Sequence, residues 1–251
     1  MLDVLDSLRT HGYATFPLSE PSALEAMQAS FLDVCSKYSS APIASLSEVH
    51  RAIEPARLNE LRLDAIRQLN GDVDFRNSLL TQVSPQLEAC FGPDIAAQKT
   101  IGLVISMPGD ATSQIPLHSD TWTGHSPFEL NLWVPFTRTV RTQSMFLLPL
   151  SRLRDRPIEG MKSGATIQDL MSRHESDFKY IEMEPGQALL FWHHLPHGNT
   201  VNREESTRWS LNMRFKNLFT PYGEKGLGDY FVPWKKGPFT ETVLRYGGIW
   251  S

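Results

Sequence analysis

Two histidines, an aspartate and an arginine have the types and spacing of a metal site with an anion-binding partner. His118 and Asp120 are two residues apart, so in an extended chain their side chains lie on the same side and can reach one metal ion. An apolar segment later runs into His197, and Arg208 follows eleven residues after it. Non-haem Fe(II) oxygenases use two histidines and one carboxylate on one face of the ion, leaving three positions open. We therefore predict His118, Asp120 and His197 as ligands of a catalytic Fe(II).

Arg208 indicates which cosubstrate such a site would take. We expect it on the strand neighbouring that of His197, where its planar guanidinium can form a paired contact with the distal carboxylate of 2-oxoglutarate while the 2-oxo acid end chelates iron. Ser210 faces the same way and would add a hydroxyl. Asn131 and Trp133 share one face of a strand and line the same pocket if that face points inward. If it points outward, Trp133 covers the amino-terminal helices instead.

Each of these motifs also has a plain structural explanation. His-x-Asp arises by chance in a chain with eight histidines, His-Gly at a strand end is usually a turn, and an arginine in a strand is usually part of a surface ion pair. Their order within one β-rich half of the chain favours the oxygenase interpretation. His193 and His194 compete with His197 as the third ligand, but only His197 stands at the conventional distance from Arg208.

Three further residues have roles that depend on how the chain turns after the metal motif. Trp122 and His125 follow that motif directly, and we predict that they contact the substrate at the mouth of the site. The structural alternatives are an aromatic side chain that packs a lid and a loop histidine bonded to backbone. Arg214 has two possible partners, an anionic substrate and an acidic surface residue, and we favour the surface residue.

The elements around these residues fall into a helical part and a β part. Apolar residues recur at helical spacing through most of residues 1–95, which we predict to wrap a barrel core formed by residues 96–220. Short apolar and aromatic segments separated by turn signals fill that core. A polar insertion spans 152–178, with a short helix near "TIQDLMSRH", and residues 221–251 form a loop-like tail. We predict a single domain, mainly β with a helical amino-terminal part.

Composition and charge limit the classes of partner. The 251 residues carry a net charge of -4 with basic residues scattered, which makes nucleic acid an improbable partner. No long apolar run predicts a membrane segment or signal peptide, so we expect a cytoplasmic enzyme with a small-molecule substrate. Cys35 and Cys90 are isolated and predict ordinary thiols. No feature of the sequence indicates an oligomeric state.

Four segments of the chain resemble the phytanoyl-CoA-hydroxylase-like (PhyH) oxygenases. They are "GYATFP", "PLHSDTW", "TQSMFLLPLSR" and "MEPGQALLFWHHLPHGNTVNREESTRWSLNMRF". The resemblance implies a double-stranded β-helix core of the jelly-roll, cupin-like type, with Fe(II), 2-oxoglutarate and O2 as cofactor and cosubstrates. It assigns cosubstrate binding to Arg208 and cosubstrate packing to Trp133. Asn199 stands where the family usually has serine, and it can still hydrogen-bond the cosubstrate.

The run "HSDTWTGHSPFELNLWVPF" is similar to a narrower set within the family, the StrG-like oxygenases of carbohydrate and aminoglycoside gene clusters. This resemblance implies oxidation of a sugar, an aminocyclitol or a related biosynthetic intermediate. Because Asp120 is present, it implies hydroxylation, desaturation or epimerisation rather than halogenation. The alternatives are a cupin-type metalloenzyme without 2-oxoglutarate, a binding protein that kept only the fold, and a hydroxylase of peptides or proteins.

Overall fold

The computed structural model describes residues 3–39, 41–155 and 166–246, which form two antiparallel sheets with helices around them. The larger sheet contains β1 (Tyr13–Pro17), β2 (Ile95–Gln98), β3 (Gly102–Ser106), β5 (Glu129–Pro135), β8 (Gln187–Trp192), β10 (Arg208–Asn217) and β11 (Phe231–Lys235). The smaller sheet contains β4 (Ile115–His118), β6 (Met145–Leu147), β7 (Lys179–Tyr180) and β9 (His197–Asn199). The helices are α1 (Val4–His11), α2 (Ser22–Ser36), α3 (Leu58–Gly71), α4 (Val73–Phe91), α5 (Leu150–Asp155), α6 (Ile167–His174) and α7 (Pro238–Tyr246).

The larger sheet is covered on both faces, and this explains the sequence of β10. Trp209, Leu211, Met213 and Phe215 lie in the main apolar core together with residues of α2, α3 and α4. The alternating residues between them face the smaller sheet, because successive side chains of a strand point to opposite faces. All seven residues of β5, which pairs with β10, are likewise buried. One face of the larger sheet therefore holds the helices, and the other faces the smaller sheet and carries the polar residues of β10.

Local signals fix where the helices begin and end. The carboxylate of Asp72 accepts a hydrogen bond of 2.8 Å from the backbone N–H of Phe75 and so caps the start of α4. Helix α1 ends at Gly12, whose φ of 81° lies in the left-handed region that glycine adopts without strain. This early stop directs the chain into β1, which pairs with β8 at the edge of the larger sheet.

The structure confirms the predicted fold class and corrects two details. The described strands stack as two open sheets of the jelly-roll type and do not close into a barrel. The tail is not loop-like, since β11 pairs with β2 and is followed by α7. The helix predicted near "TIQDLMSRH" is α6, but residues 156–165 of the predicted insertion lie outside the described residues. None of the described helices is both long and apolar enough to span a membrane.

Candidate active site

The three predicted metal ligands meet at one end of the smaller sheet. His118 ends β4 and is paired with His197, the first residue of β9, so the two rings lie with centroids 4.3 Å apart. Asp120 follows in a short 3-10 turn, and its Oδ1 lies 3.3 Å from Nε2 of His118 and 3.9 Å from Nε2 of His197. Single donor atoms of the three side chains lie within 4.8 Å of one another, which suits ligands of one ion.

Gly198 allows the strands that carry the two histidines to approach this closely. A Cβ atom at this position would lie 2.6 Å from the carbonyl oxygen of Ile115 and 3.0 Å from that of Pro116, both in β4. Backbone oxygens cannot give way to such a contact without a shift of the strand. The glycine after His197 therefore has a packing role in addition to any role in the turn.

Both histidines present the same nitrogen to the site. Nδ1 of His118 lies 2.9 Å from the carbonyl oxygen of Pro116, and Nδ1 of His197 lies 2.8 Å from that of Leu195. Donation from Nδ1 to a carbonyl leaves the Nε2 lone pair free, as a metal ligand requires. Burial, with the neighbouring His118, lowers the pKa of His197 to about 3, so this imidazole is neutral at physiological pH.

Asp120 is buried and its carboxylate has two distinct sides. Oδ1 faces the histidines, whereas Oδ2 accepts a hydrogen bond of 2.7 Å from Nε of Arg214 and lies 2.7 Å from Nη2 of the same guanidinium in an ion pair. Burial alone would raise the pKa of Asp120, but the side-chain contacts with His118 and His193 and the charge of Arg214 outweigh it and lower the pKa. The prediction of a surface partner for Arg214 was wrong. The partner is the buried Asp120, which sequence spacing could not indicate because the contact joins distant elements.

Arg208 faces the metal site from the opposite sheet. His197 lies in the smaller sheet and Arg208 in the larger one, so the expectation of neighbouring strands was wrong: the two residues face each other across the cavity. The guanidinium is buried, and its Nη1 donates to the carbonyl of Gln143 at 2.8 Å. Burial lowers the pKa of Arg208 to about 10. The Arg208 Nε and the Ser210 Oγ are both buried without a hydrogen-bond partner within the described part of the chain.

A cavity lies between these two groups of residues. Its walls are formed by Val104, Ile115, His118, Asn131, Trp133, Met145, Phe191, His197, Gly198, Asn199, Arg208, Asn212 and Arg214. The face of β5 that carries Asn131 and Trp133 thus points inward, and Trp133 packs with Phe191 between the sheets. The amide of Asn199 is already engaged. Its Nδ2 donates to the carbonyls of Ser113 and Thr200, so its predicted bond to a cosubstrate would have to replace one of these.

The remaining predicted residues lie outside this cavity. His125 is buried behind Asp120 and bonds Oε2 of Glu129 through Nδ1 at 2.7 Å, so the structure does not bring it to the mouth of the site. Trp122 is half-buried in the 3-10 turn and is not among the lining residues. Of the competing ligands, His194 turns outward to the Thr121 hydroxyl. His193 lies on the Oδ2 side of Asp120, 3.3 Å from that atom, rather than with the two ligand histidines.

Asn212 is a lining residue that the sequence analysis did not single out. It lies on β10 between Ser210 and Arg214, on the same face as Arg208. The two-residue period of a strand was the signal that could have found it. Gly102 on the paired strand β3 leaves room for the Asn212 side chain, because a Cβ atom at position 102 would lie 2.6 Å from Oδ1 of Asn212.

The model of the phytanoyl-CoA dioxygenase (PhyH) family matches residues 8–210, which is most of the chain. The protein belongs to the PhyH family. The match includes the three predicted ligands and Arg208, whereas Asn212 and Arg214 lie beyond its end. The chain is also 25% identical over 133 residues to the streptomycin biosynthesis protein StrG of Streptomyces griseus. That alignment covers 50% of this chain and 50% of StrG, so this PhyH protein matches only half the length of that relative.

Solved structures similar to this PhyH protein support the fold. The alignment with ThoJ, a non-heme monooxygenase, has a TM-score of 0.56 at 17% identity and covers 94% of this chain and 84% of ThoJ. SnoK is a non-heme alpha ketoglutarate dependent carbocyclase from nogalamycin biosynthesis. Its alignment has a TM-score of 0.55 at 14% identity and covers 87% of this chain and 85% of SnoK. HygX from Streptomyces hygroscopicus was solved with nickel and 2-oxoglutarate bound. Its alignment has a TM-score of 0.56 at 12% identity and covers 88% of this chain and 90% of HygX.

Proposed function

We propose that this protein is an Fe(II)- and 2-oxoglutarate-dependent oxygenase that oxidises a C–H bond of a small molecule. The observation that carries the proposal is the cavity with a three-ligand group on one wall and Arg208 on the other. Bound Fe(II), with 2-oxoglutarate and O2, would supply the oxidation of the C–H bond, while the cosubstrate is converted to succinate and CO2. His118, Asp120 and His197 would hold the iron.

The protein's own contribution is to orient the cosubstrate and exclude water. The Nε of Arg208 and the Oγ of Ser210 are buried donors without a partner in the described residues, and a carboxylate is the acceptor that would satisfy both. An unsatisfied buried donor costs about 1–3 kcal/mol, so the site is built for an anion that arrives from outside. Trp133 lines the same cavity as Arg208 and would shield the cosubstrate from solvent. The distal carboxylate of 2-oxoglutarate fits this arrangement.

The lining also supports a substrate that is polar and uncharged near its target carbon. Asn131 and Asn212 present amides to the cavity, and Arg214 is already paired with Asp120. Among the described residues that line the cavity, Arg208 is then the only arginine or lysine without a carboxylate partner, and the cosubstrate would occupy it. Amides suit the hydroxyl groups of a sugar or aminocyclitol, the class that the likeness to the streptomycin biosynthesis protein StrG supports.

The first test is an anaerobic titration of Fe(II) and 2-oxoglutarate into the metal-free protein, followed by the visible metal-to-ligand charge-transfer band. We expect the band in the wild type, a weaker one in Arg208→Ala and none in His197→Ala. Arg138→Ala is the matched control, because Arg138 is an exposed arginine paired with Glu184. A wild type that binds iron without developing the band would favour the cupin-type alternative, in which Arg208 has no role.

The type of oxidation is tested separately, by mass spectrometry of products from a panel of sugars and aminocyclitols. Hydroxylation adds one oxygen atom, desaturation or ring closure removes two hydrogens, and epimerisation leaves the mass unchanged. We propose hydroxylation, because the retained Asp120 carboxylate favours it over halogenation and the likeness to ThoJ, a monooxygenase, adds support. The carbocyclase SnoK makes ring closure the second candidate.

A further inference from the structure

The two oxygens of the Asp120 carboxylate are held by different partners. Among the described residues, Oδ1 lies beside the two ligand histidines, at 3.3 and 3.9 Å. Oδ2 accepts a hydrogen bond from Nε of Arg214 at 2.7 Å, and Nη2 of the same guanidinium lies 2.7 Å from it in an ion pair. Nδ1 of His193 also lies close to Oδ2, at a distance of 3.3 Å. The carboxylate is therefore free on one side only.

Arg214 is itself fixed in place rather than free to swing away. Its side chain is 15% exposed, and Nη1 reaches Oε1 of Gln98 at 3.4 Å and the hydroxyl of Tyr230 at 3.3 Å. Its backbone N–H also donates to Oε1 of Gln98, at 3.1 Å. On β5, Asn131 stands opposite it in the register. A side chain with this many contacts can hold its partner in one orientation.

The number of oxygens that Asp120 offers to a metal decides how many positions remain. A carboxylate that binds through both oxygens occupies two of the six coordination positions of the metal. The two histidines occupy two more, so only two positions remain open. A 2-oxo acid takes two positions and O2 takes a third, so this chemistry needs a carboxylate that binds through one oxygen. We propose that Arg214 is a positioning residue that engages Oδ2 and so restricts Asp120 to coordination through Oδ1. The proposal rests on the proposed function for the identity of the metal and cosubstrate.

A neighbouring group offers a competing explanation of the Oδ2 contacts. His125, Glu129 and His193 lie behind Asp120 and could form a second metal site that shares Oδ2 with the first. Two of their polar atoms already have partners outside the group, however. Nε2 of His193 lies 2.7 Å from the Ser126 carbonyl, and Oε1 of Glu129 accepts from the Ser126 N–H at 2.9 Å. The charge of Arg214 beside Oδ2 also opposes a second cation there. We therefore expect one metal ion per chain.

The test uses Co(II) as the metal probe, two 2-oxo acids as chelators and azide as a ligand for the third position, with each affinity measured by the change in the Co(II) visible spectrum. Pyruvate keeps the 2-oxo acid group of 2-oxoglutarate but lacks the distal carboxylate. Arg214→Gln should leave both chelators bound, because two positions remain, but should weaken azide binding to either Co(II)–2-oxo acid complex by about tenfold or more, the loss that is usual when a residue that orients a metal ligand is removed. Arg214→Lys keeps the charge with a single donor and should fall between the wild type and Arg214→Gln.

Arg208→Met is the contrasting variant, because it should weaken 2-oxoglutarate and leave pyruvate unchanged. Arg62→Gln is the matched stability control, since it removes another partly buried arginine from an aspartate, Asp110, at 2.6 Å. Unchanged azide binding to the Co(II)–pyruvate complex of a folded Arg214→Gln variant would overturn the proposal. So would loss of Co(II) itself from that variant, or two Co(II) ions per wild-type chain. A wild type that binds Co(II) but neither 2-oxo acid would instead overturn the proposed function.

Discussion

Arg208→Met should separate the stability of the ligand-free protein from its affinity for the cosubstrate. Burial lowers the pKa of Arg208 to about 10. Because a tenfold change in an ionisation constant corresponds to about 1.4 kcal/mol, keeping this charge buried costs about 3 kcal/mol. The hydrogen bond from Nη1 to the Gln143 carbonyl, at 2.8 Å, offsets about 2 kcal/mol, as is typical for a charged donor. The ligand-free protein is then destabilised by about 1 kcal/mol at this residue.

Methionine has a similar length and no charge, so the variant should unfold about 2–4 °C above the wild type in buffer with a chelator and no 2-oxoglutarate. Its affinity for 2-oxoglutarate should fall about 30-fold or more, because removal of one partner of a buried charge pair costs about 2–5 kcal/mol. Differential scanning calorimetry and calorimetric titration of the Ni(II) form measure the two quantities.

The comparison variant is Arg214→Met, for which we expect the opposite change in stability. It leaves Asp120 buried without its charged partner, which costs about 3–5 kcal/mol. An Arg208→Met protein that unfolds below the wild type in ligand-free buffer would refute the inference that the Arg208 guanidinium is under-satisfied. Unchanged 2-oxoglutarate affinity would refute its assignment to the distal carboxylate.

Three further substitutions test the surroundings of the site. Gly198→Ala should push β9 from β4 and weaken Ni(II) binding about tenfold or more, measured by calorimetric titration; unchanged affinity would contradict the packing role of this glycine. Gly102→Ala should displace the Asn212 side chain and raise the KM for the organic substrate without changing the affinity for 2-oxoglutarate, so a shift in both would count against Asn212 as a substrate contact. Asp110→Asn should lower the free energy of unfolding by about 1 kcal/mol at neutral pH in urea titrations, because the ion pair with Arg62 is lost. Burial would raise the pKa of Asp110, but its bonds to Thr112 and the charge of Arg62 lower it on balance, so the difference from the wild type should shrink as the pH falls below the ordinary pKa of an aspartate and be lost as it falls through the lowered pKa of the folded protein.

The sequence was informative where chemistry depends on neighbours along the chain. His118 and Asp120 share a short segment, and His197 and Arg208 are each the first residue of successive strands, so spacing alone indicated the cluster. Period-2 alternation likewise placed Asn131 and Trp133 on one strand face, and the structure turns that face inward.

Spacing was a poor guide where a contact joins elements distant along the chain. The partner of Arg214 depends on where β10 lies relative to the turn that follows β4, and this is set by packing of the sheets. His125 was expected at the mouth, but the 3-10 turn directs the chain inward and its ring bonds the buried Glu129. The tail has few local signals for β11, which forms because β2 offers an edge for pairing.

The alternation of β10 has a consequence for which changes of length the protein can accept. Inserting or deleting one residue between Arg208 and Phe215 would exchange the two faces of the strand downstream of the change. Arg214 would then point toward the helices, and Met213 and Phe215 toward the metal ligands. Such a register shift would bury the charge of Arg214 in the apolar core and would also remove polar groups from the cavity. Homologues and engineered variants should therefore vary in residue type along this strand while keeping its length constant.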